Sequence, residues 1–170
     1  MKRIMIVGSS GAGKSCFARE LQIITKLPLY HLDQMFWKPG WIESDQIDFR
    51  DRVKVLVAKD EWLIDGNYGN TISIRAERAD VIIFLDYPRW LCVWRALKRF
   101  VIGWLWQGNR SDVPRSCRER MTWSFFLWIW TYPYRGRKKA LRQINAGGFP
   151  LEKVVFFRRQ VDKDRFLKNL

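Results

Sequence analysis

The chain has one histidine, His31, and three cysteines, Cys16, Cys92 and Cys117, spread widely over 170 residues. A single histidine argues against histidine-based triads and multi-histidine metal centres. Three unpaired cysteine positions argue against a disulfide framework or a zinc site and suit a reducing cytoplasm. No stretch is long enough to span a bilayer: the most apolar, MTWSFFLWIWTY at 121–132, is short and flanked by polar residues. No secretory signal is visible, because a Gly-rich stretch at 8–15 interrupts the apolar N-terminus. Internal repeats and low-complexity linkers are missing. So is a guanine-reading Asn-Lys-x-Asp motif, which mildly favours ATP over GTP. A helicase-like second motor domain is also missing, which argues against translocation on DNA. Acids are scarce in one half only. Residues 86–170 hold 6 Asp/Glu against 19 Lys/Arg, whereas residues 1–85 hold 11 against 12. Of the net charge of +14, the C-terminal half therefore carries +13. Such a half faces a polyanion (a triphosphate, a phosphorylated substrate or nucleic acid) or is a solvated basic surface. The length predicts a single cytoplasmic domain with a sizeable core.

What is present begins with Gly8-Ser9-Ser10-Gly11-Ala12-Gly13-Lys14-Ser15, which fits G-x-x-x-x-G-K-[ST]. The apolar run RIMIV at 3–7 precedes it, as a buried parallel strand should, and a helical pattern over 16–25 follows. The glycines let the backbone curl so that the N–H groups of Gly8, Ser9, Ser10, Gly11, Ala12, Gly13, Lys14, Ser15 and Cys16 point at an anion. The helix that starts there adds its unpaired N–H groups and the positive end of its dipole. Lys14 reaches the β- and γ-phosphates, and the Ser15 hydroxyl coordinates Mg²⁺. ATP and Mg²⁺ are thus the expected cofactors.

Further strands are expected at 27–32, 62–64, 81–85 and 153–157, and helices at 45–59, 70–79, 88–102 and 162–170. A basic, Trp-rich segment over 115–145 reads as helical on both sides of Pro133. The alternation predicts an α/β fold, a three-layer α/β/α arrangement around a five-stranded, mainly parallel sheet. Three of the strands run into an acid and a loop: Asp33, Asp65 and Asp86. In such sheets the carboxyl ends of the strands face the ligand. Three acids near one triphosphate suggest metal coordination, orientation of a hydroxyl acceptor, or acid–base work.

Leu63-Ile64-Asp65-Gly66, Phe84-Leu85-Asp86-Tyr87-Pro88 and the arginine-bearing helix after them resemble the adenylate kinase group. More narrowly, His31-Leu32-Asp33, Trp37-Lys38-Pro39-Gly40-Trp41, Asp65-Gly66-Asn67-Tyr68 and Pro88-Arg89-Trp90-Leu91-Cys92 resemble the bacterial DNA topology modulation protein (FlaR-type) family, itself adenylate kinase-like. The family name implies an effect on DNA topology, whereas its motifs imply a phosphotransferase. The resemblance implies a nucleoside monophosphate kinase-like fold with a basic helical lid over about 103–120. It implies that Asp65 holds Mg²⁺ through water and that Asp86 supports the lid helix. It implies that Arg95 and Arg99 lead to the lid, and that Arg110, Arg115, Arg118 and Arg120 close over the γ-phosphate. It implies that Arg158 begins the loop that touches the adenine. The chain departs from the group after Asp65-Gly66, where Asn67-Tyr68-Gly69 stands in place of Phe-Pro-Arg. The arginine that grips an acceptor phosphate is missing at that offset, and Arg75 or Arg78 is the candidate substitute.

Several residues carry two readings. Asp33 either orients the acceptor or caps a turn. His31, two residues earlier on the same face, is either part of the site or a satisfied core histidine. Trp37 and Trp41 either stack on a substrate ring or close the core. The run from Arg135 to Lys139, with Arg142, is either a solvated face or a polyanion patch. The first functional expectation is an ATP-dependent kinase of a small acceptor (nucleotide, nucleoside or similar), with Lys14, Asp33, Asp65, Arg95, Arg99, Arg110 and Arg118 at the chemistry. The alternative is a nucleic-acid-associated NTP-binding protein that modulates DNA topology or gene regulation.

Overall fold

A computed structural model of the chain describes residues 1–106, 114, 117 and 122–170. Strand β1 (Arg3–Gly8) lies at the centre of the sheet, and Ile4, Met5, Ile6 and Val7 are all fully buried. An uninterrupted apolar run is what a strand covered on both faces requires. Strands β2 (Leu29–His31), β5 (Trp62–Asp65), β6 (Val81–Leu85) and β7 (Val155–Phe157) complete a parallel sheet in the order β2-β5-β1-β6-β7. The α/β class and the five-stranded parallel sheet read from the sequence are both present.

Alternate side chains divide the core in two. Met5, Val7, Ile64, Ile82 and Phe84 pack under α3 (Gln46–Val57), α4 (Gly69–Arg78) and α7 (Gly136–Ala146). Ile4, Ile6, Leu63 and Ile83 pack under α1 (Lys14–Thr25), α5 (Arg89–Trp106), α6 (Trp123–Thr131) and α8 (Gln160–Lys168). Helices on both faces give the three layers. Register then sets the ligand edge: Ile6 lies beside Asp65, Asp65 beside His31, and Gly8 beside Leu85.

The structure departs from the sequence reading in places. Helix α1 starts at Lys14, two residues before the apolar pattern, because Gly13 takes the left-handed cap conformation (φ 91°). What reads as a loop after β2 is a short helix, α2 (Leu32–Phe36), and a hairpin of β3 (Trp37–Lys38) and β4 (Ile42–Glu43). Helix α5 runs through Gly103 to Trp106. Of the last predicted strand only Val155–Phe157 pairs, since Leu151–Lys153 forms a 3₁₀ turn. The expected lid at about 103–120, with Arg110, Arg115, Arg118 and Arg120, lies largely outside the described residues. Among the described residues no helix is long and apolar enough to cross a membrane.

Candidate active site at the carboxyl edge of the sheet

The loop between β1 and α1 is held against α5. A Cβ on Gly11 (φ 75°) would sit 2.0 Å from the Cys92 carbonyl oxygen, so the loop approaches that helix as only glycine permits. Arg95 Nη1 on the same helix donates to the Ala12 carbonyl at 3.3 Å. Lys14 Nζ donates to the Ser9 carbonyl at 2.9 Å. The Ser9 hydroxyl is buried and has no hydrogen-bond partner among the described residues. The Ala12 N–H donates to the Ser9 carbonyl at 3.2 Å, within the loop; the buried, unmatched Ser9 hydroxyl is what a bound phosphate oxygen would satisfy. Loss of water lowers the Lys14 pKa, and the charges of Asp33 and Asp65 pull it back up.

Asp65 ends β5 and is 3% exposed. His31 Nδ1–H donates to its Oδ1 at 2.6 Å. The histidine is therefore a buried partner of the acid. Asp33, in α2, is half-buried and accepts the Tyr68 hydroxyl on Oδ1 at 2.7 Å. Burial first, and then the charge of Asp33, raise the Tyr68 pKa, so the phenol stays a donor. The Tyr68 ring packs 4.8 Å from Phe36 and 4.9 Å from Phe49, centroid to centroid. Trp37 and Trp41 meet edge to face at 5.2 Å.

Asp86 is engaged elsewhere. Arg137 Nε, from α7, lies 3.0 Å from both of its oxygens, and Arg158 Nε lies 3.9 Å away. The arginine run at 135–139 thus contributes one residue to a fixed ion pair. Arg135, Lys138, Lys139 and Arg142 remain exposed along α7.

The expectation that Arg75 or Arg78 replaces a phosphate-gripping arginine does not fit the structure. Arg75 is fully buried and donates to the carbonyls of Gly66 at 3.0 Å, Tyr68 at 3.3 Å and Thr71 at 3.3 Å. Burial pushes its pKa down to about 9 against the pull of Asp65. It braces the turn of Asp65-Gly66-Asn67-Tyr68 from behind. Arg78 sits at the end of α4, two residues before Asp80, which bonds to Lys2 and Arg3 at the opposite edge of the sheet.

Beside the loop lies a cavity of about 630 Å³ between α1, α5 and the start of α8. Gly13, Cys16, Tyr87, Trp94, Arg95 and Arg99 contribute to its wall. Gln160 and Lys163 form the α8 side, and Lys163 pairs with Glu20 at 2.7 Å. Arg158 stands outside this lining, over the Phe156 ring. Sequence reasoning missed Tyr68, Trp94 and Lys163 as lining or positioning residues. Trp94 carries an apolar-face spacing, which does not separate a core face from a cavity wall. Among the described residues no group of three His, Cys, Asp or Glu gathers as a metal centre. Ser15 and Asp65 flank the loop. They suit Mg²⁺, which is held by few protein ligands, substrate phosphates and water.

Neither the protein-family models nor the curated proteins gave a match to this sequence. Solved structures did. A shikimate kinase from Acinetobacter baumannii in complex with shikimate is similar over 99% of this chain and 90% of its own, with a TM-score of 0.62 and 14% identity. An uncharacterised protein from Eubacterium ventriosum matches over 99% and 98% (TM-score 0.51, 12% identity). A deoxyadenosine kinase from M. mycoides with bound dATP covers 99% and 98%, with a TM-score of 0.48 and 12% identity. At these identities the likeness establishes the fold.

Proposed function

We propose, from a chain with the fold of the P-loop kinases, an ATP-dependent phosphotransferase acting on a small acceptor. The observation that carries this reading is the meeting of two strand ends: Asp65, the last residue of β5, lies beside Ile6 of β1, two residues before the Gly8 that opens the phosphate loop, and Lys14 closes that loop at the start of α1. Bound Mg²⁺–ATP supplies the γ-phosphoryl group, and the metal neutralises part of its charge. The loop N–H groups and the Ser9 hydroxyl hold the phosphates, and Lys14 meets the charge that develops on transfer. Ser15 and Asp65 are the residues that would hold Mg²⁺, Asp65 with its orientation fixed by His31. Asp33 orients the acceptor. Arg95 and Arg99, in the cavity wall, are suited to the nucleotide, and Arg110 and Arg118 complete the proposed set.

The test is ADP release by the purified protein with Mg²⁺–ATP and a panel of nucleotides, nucleosides and sugars. Lys14→Ala should lower transfer by about 10³-fold while the melting temperature holds. Absence of transfer to every member would remove the support for this reading.

A second reading, nucleic-acid association of the kind the DNA topology family name implies, is favoured by one observation: the exposed stripe Arg135, Lys138, Lys139 and Arg142 on α7. Its binding should fall steeply between 50 and 200 mM salt and weaken when Lys138 and Lys139 are neutralised. Salt-insensitive or absent binding counts against it.

A further inference from the structure

Two neighbouring helices on one face of the sheet turn apolar side chains outward. Along α5, Trp90, Trp94, Leu97 and Val101 are exposed. Along α6 and into the turn after it, Trp123, Leu127, Trp130 and Tyr134 are exposed. Both sets follow the spacing i, i+4, i+7, i+11, which is one side of a helix. The opposite sides already serve the core, through Cys92, Val93 and Ala96 of α5 and Ile129 of α6. Trp90 is 63% exposed, Trp123 74% and Tyr134 61%, so most of each ring lies in water. The five aromatic rings of the stripes expose on the order of 500 Å², near the upper end of the apolar patches of monomeric proteins.

The two stripes meet. Arg89, the residue before Trp90, lays its guanidinium 4.2 Å from the Trp130 ring centre and 5.5 Å from that of Tyr134. Other cations stand among the rings as well. Lys98 lies over Trp94 at 5.3 Å, and exposed Arg135 follows Tyr134 in the chain. Neither helix has an Asp or Glu. The joining stretch 107–121 has two large apolar residues, Val113 and Met121, too few to cover both stripes. Its described Cys117 is buried, with its thiol on the Lys38 carbonyl at 3.5 Å. Lys38 belongs to the β3–β4 hairpin, which packs on the other core through Trp37.

We propose that this face docks on an anionic lipid bilayer, with the stripes of α5 and α6 in the interface and Arg89, Lys98 and Arg135 at the headgroups. Tryptophan, tyrosine and aliphatic side chains at one level, with cations among them and no acid, match the chemistry of that depth. The long stems of the cations lie along the apolar surface while their charges reach the lipid phosphates. The helices lie on the bilayer, since no described helix is long and apolar enough to cross it. A second copy of the chain would set these cations against one another with no acid in either helix to pair them. Single-stranded nucleic acid needs free ring faces. Here Phe126 stacks on Trp123 at 5.2 Å and on Trp130 at 6.2 Å, and Leu97, Val101 and Leu127 offer no ring at all. Trp94 and Lys98 also border the cavity beside the phosphate loop, so the docked face reaches the edge of that cavity.

The test mixes the full chain with vesicles of phosphatidylcholine alone, or of phosphatidylcholine and phosphatidylglycerol at about 7:3. Partition should favour the anionic vesicles by about 10-fold or more and fall as salt rises. Brominated acyl chains in the anionic vesicles should quench the tryptophan emission. Trp90→Ser with Trp123→Ser should lower partition by about 10-fold or more, and so should Arg89→Gln with Arg135→Gln. The quenching needs no variant, so it decides alone if either pair of substitutions prevents folding. No partition onto the anionic vesicles, partition without quenching, or unchanged partition of the folded Trp90→Ser, Trp123→Ser variant would each overturn the proposal. A dimer in sedimentation velocity that this pair of substitutions dissolves would assign the face to a second copy instead. Single-stranded DNA binding lost with the same pair would assign it to nucleic acid.

Discussion

Glycines 11 and 13 occupy the same loop with positive φ, yet a methyl group at each meets different surroundings. At Gly11 it would overlap the Cys92 carbonyl at 2.0 Å; at Gly13 its nearest neighbour is Arg95 Nη1 at 3.8 Å. Gly11→Ala should therefore add overpacking to backbone strain and cost about 3 kcal/mol or more. Gly13→Ala carries the strain alone, about 1–2 kcal/mol. Denaturant midpoints of the two variants test the difference, and equal losses would remove the close approach as its cause. Arg75 shows the reverse case, a charge fixed by backbone acceptors. Arg75→Met should destabilise by about 3 kcal/mol, read from the same unfolding curves, because three carbonyls lose a charged donor.

At the scale of elements, β1 and β6 are joined at their starts by one carboxylate. Asp80 accepts from the backbone N–H groups of Lys2 and Arg3 and from the Arg3 guanidinium. Burial alone would raise its pKa, but these donors outweigh it and hold the carboxyl below its ordinary 3.8. The stabilisation is therefore complete above that ordinary value and is lost as pH falls through the lower folded one. Asp80→Asn should cost about 1 kcal/mol at neutral pH, discounted for partial exposure. The gap from wild type should close as the pH falls below 3.8, in a series of unfolding curves. The strands themselves were legible, because five apolar runs separated by helical patterns leave few other arrangements. Strand β6 matches its predicted limits residue for residue, and Asp45 caps α3 where that helix was expected to begin. The segment at 32–43 was not legible: a five-residue helix and a two-residue hairpin carry too few periods to register. The site was legible in the parts that local motif chemistry defines, Lys14 and the acids. The partners of those acids were hidden. Tyr68 lies 35 positions from Asp33, and Arg137 lies 51 from Asp86, so only the folded sheet edge brings them together.

For the molecule as a whole, folding and nucleotide binding should be linked. Hundredfold excess of Mg²⁺–ATP over its Kd contributes about 2.7 kcal/mol to the native state. For a chain of this size that is a rise in Tm of roughly 5–10 °C. Differential scanning fluorimetry checks it, and Lys14→Ala should show a much smaller shift. The distribution of charge has a consequence at the same scale. Helices α5, α6 and α7 contain no Asp or Glu in their described sequences, while α5 and α7 carry arginines and lysines. Acid-free helices thus lie on both faces of the sheet, α5 and α6 on one and α7 on the other, and the cations of α5 and α7 give each layer a positive field able to draw anions.

The three cysteines also differ in access. Cys16 is exposed on the cavity wall one residue past Ser15, whereas Cys92 and Cys117 are buried. A thiol reagent should then mark the folded protein at one position, at the threshold of the phosphate loop. Ellman's reagent should titrate one fast thiol in buffer and three in denaturant. Saturating Mg²⁺–ATP should slow the first. A covalent label becomes a gauge of occupancy, and a fluorophore placed there reports on ligand arrival without any knowledge of the acceptor.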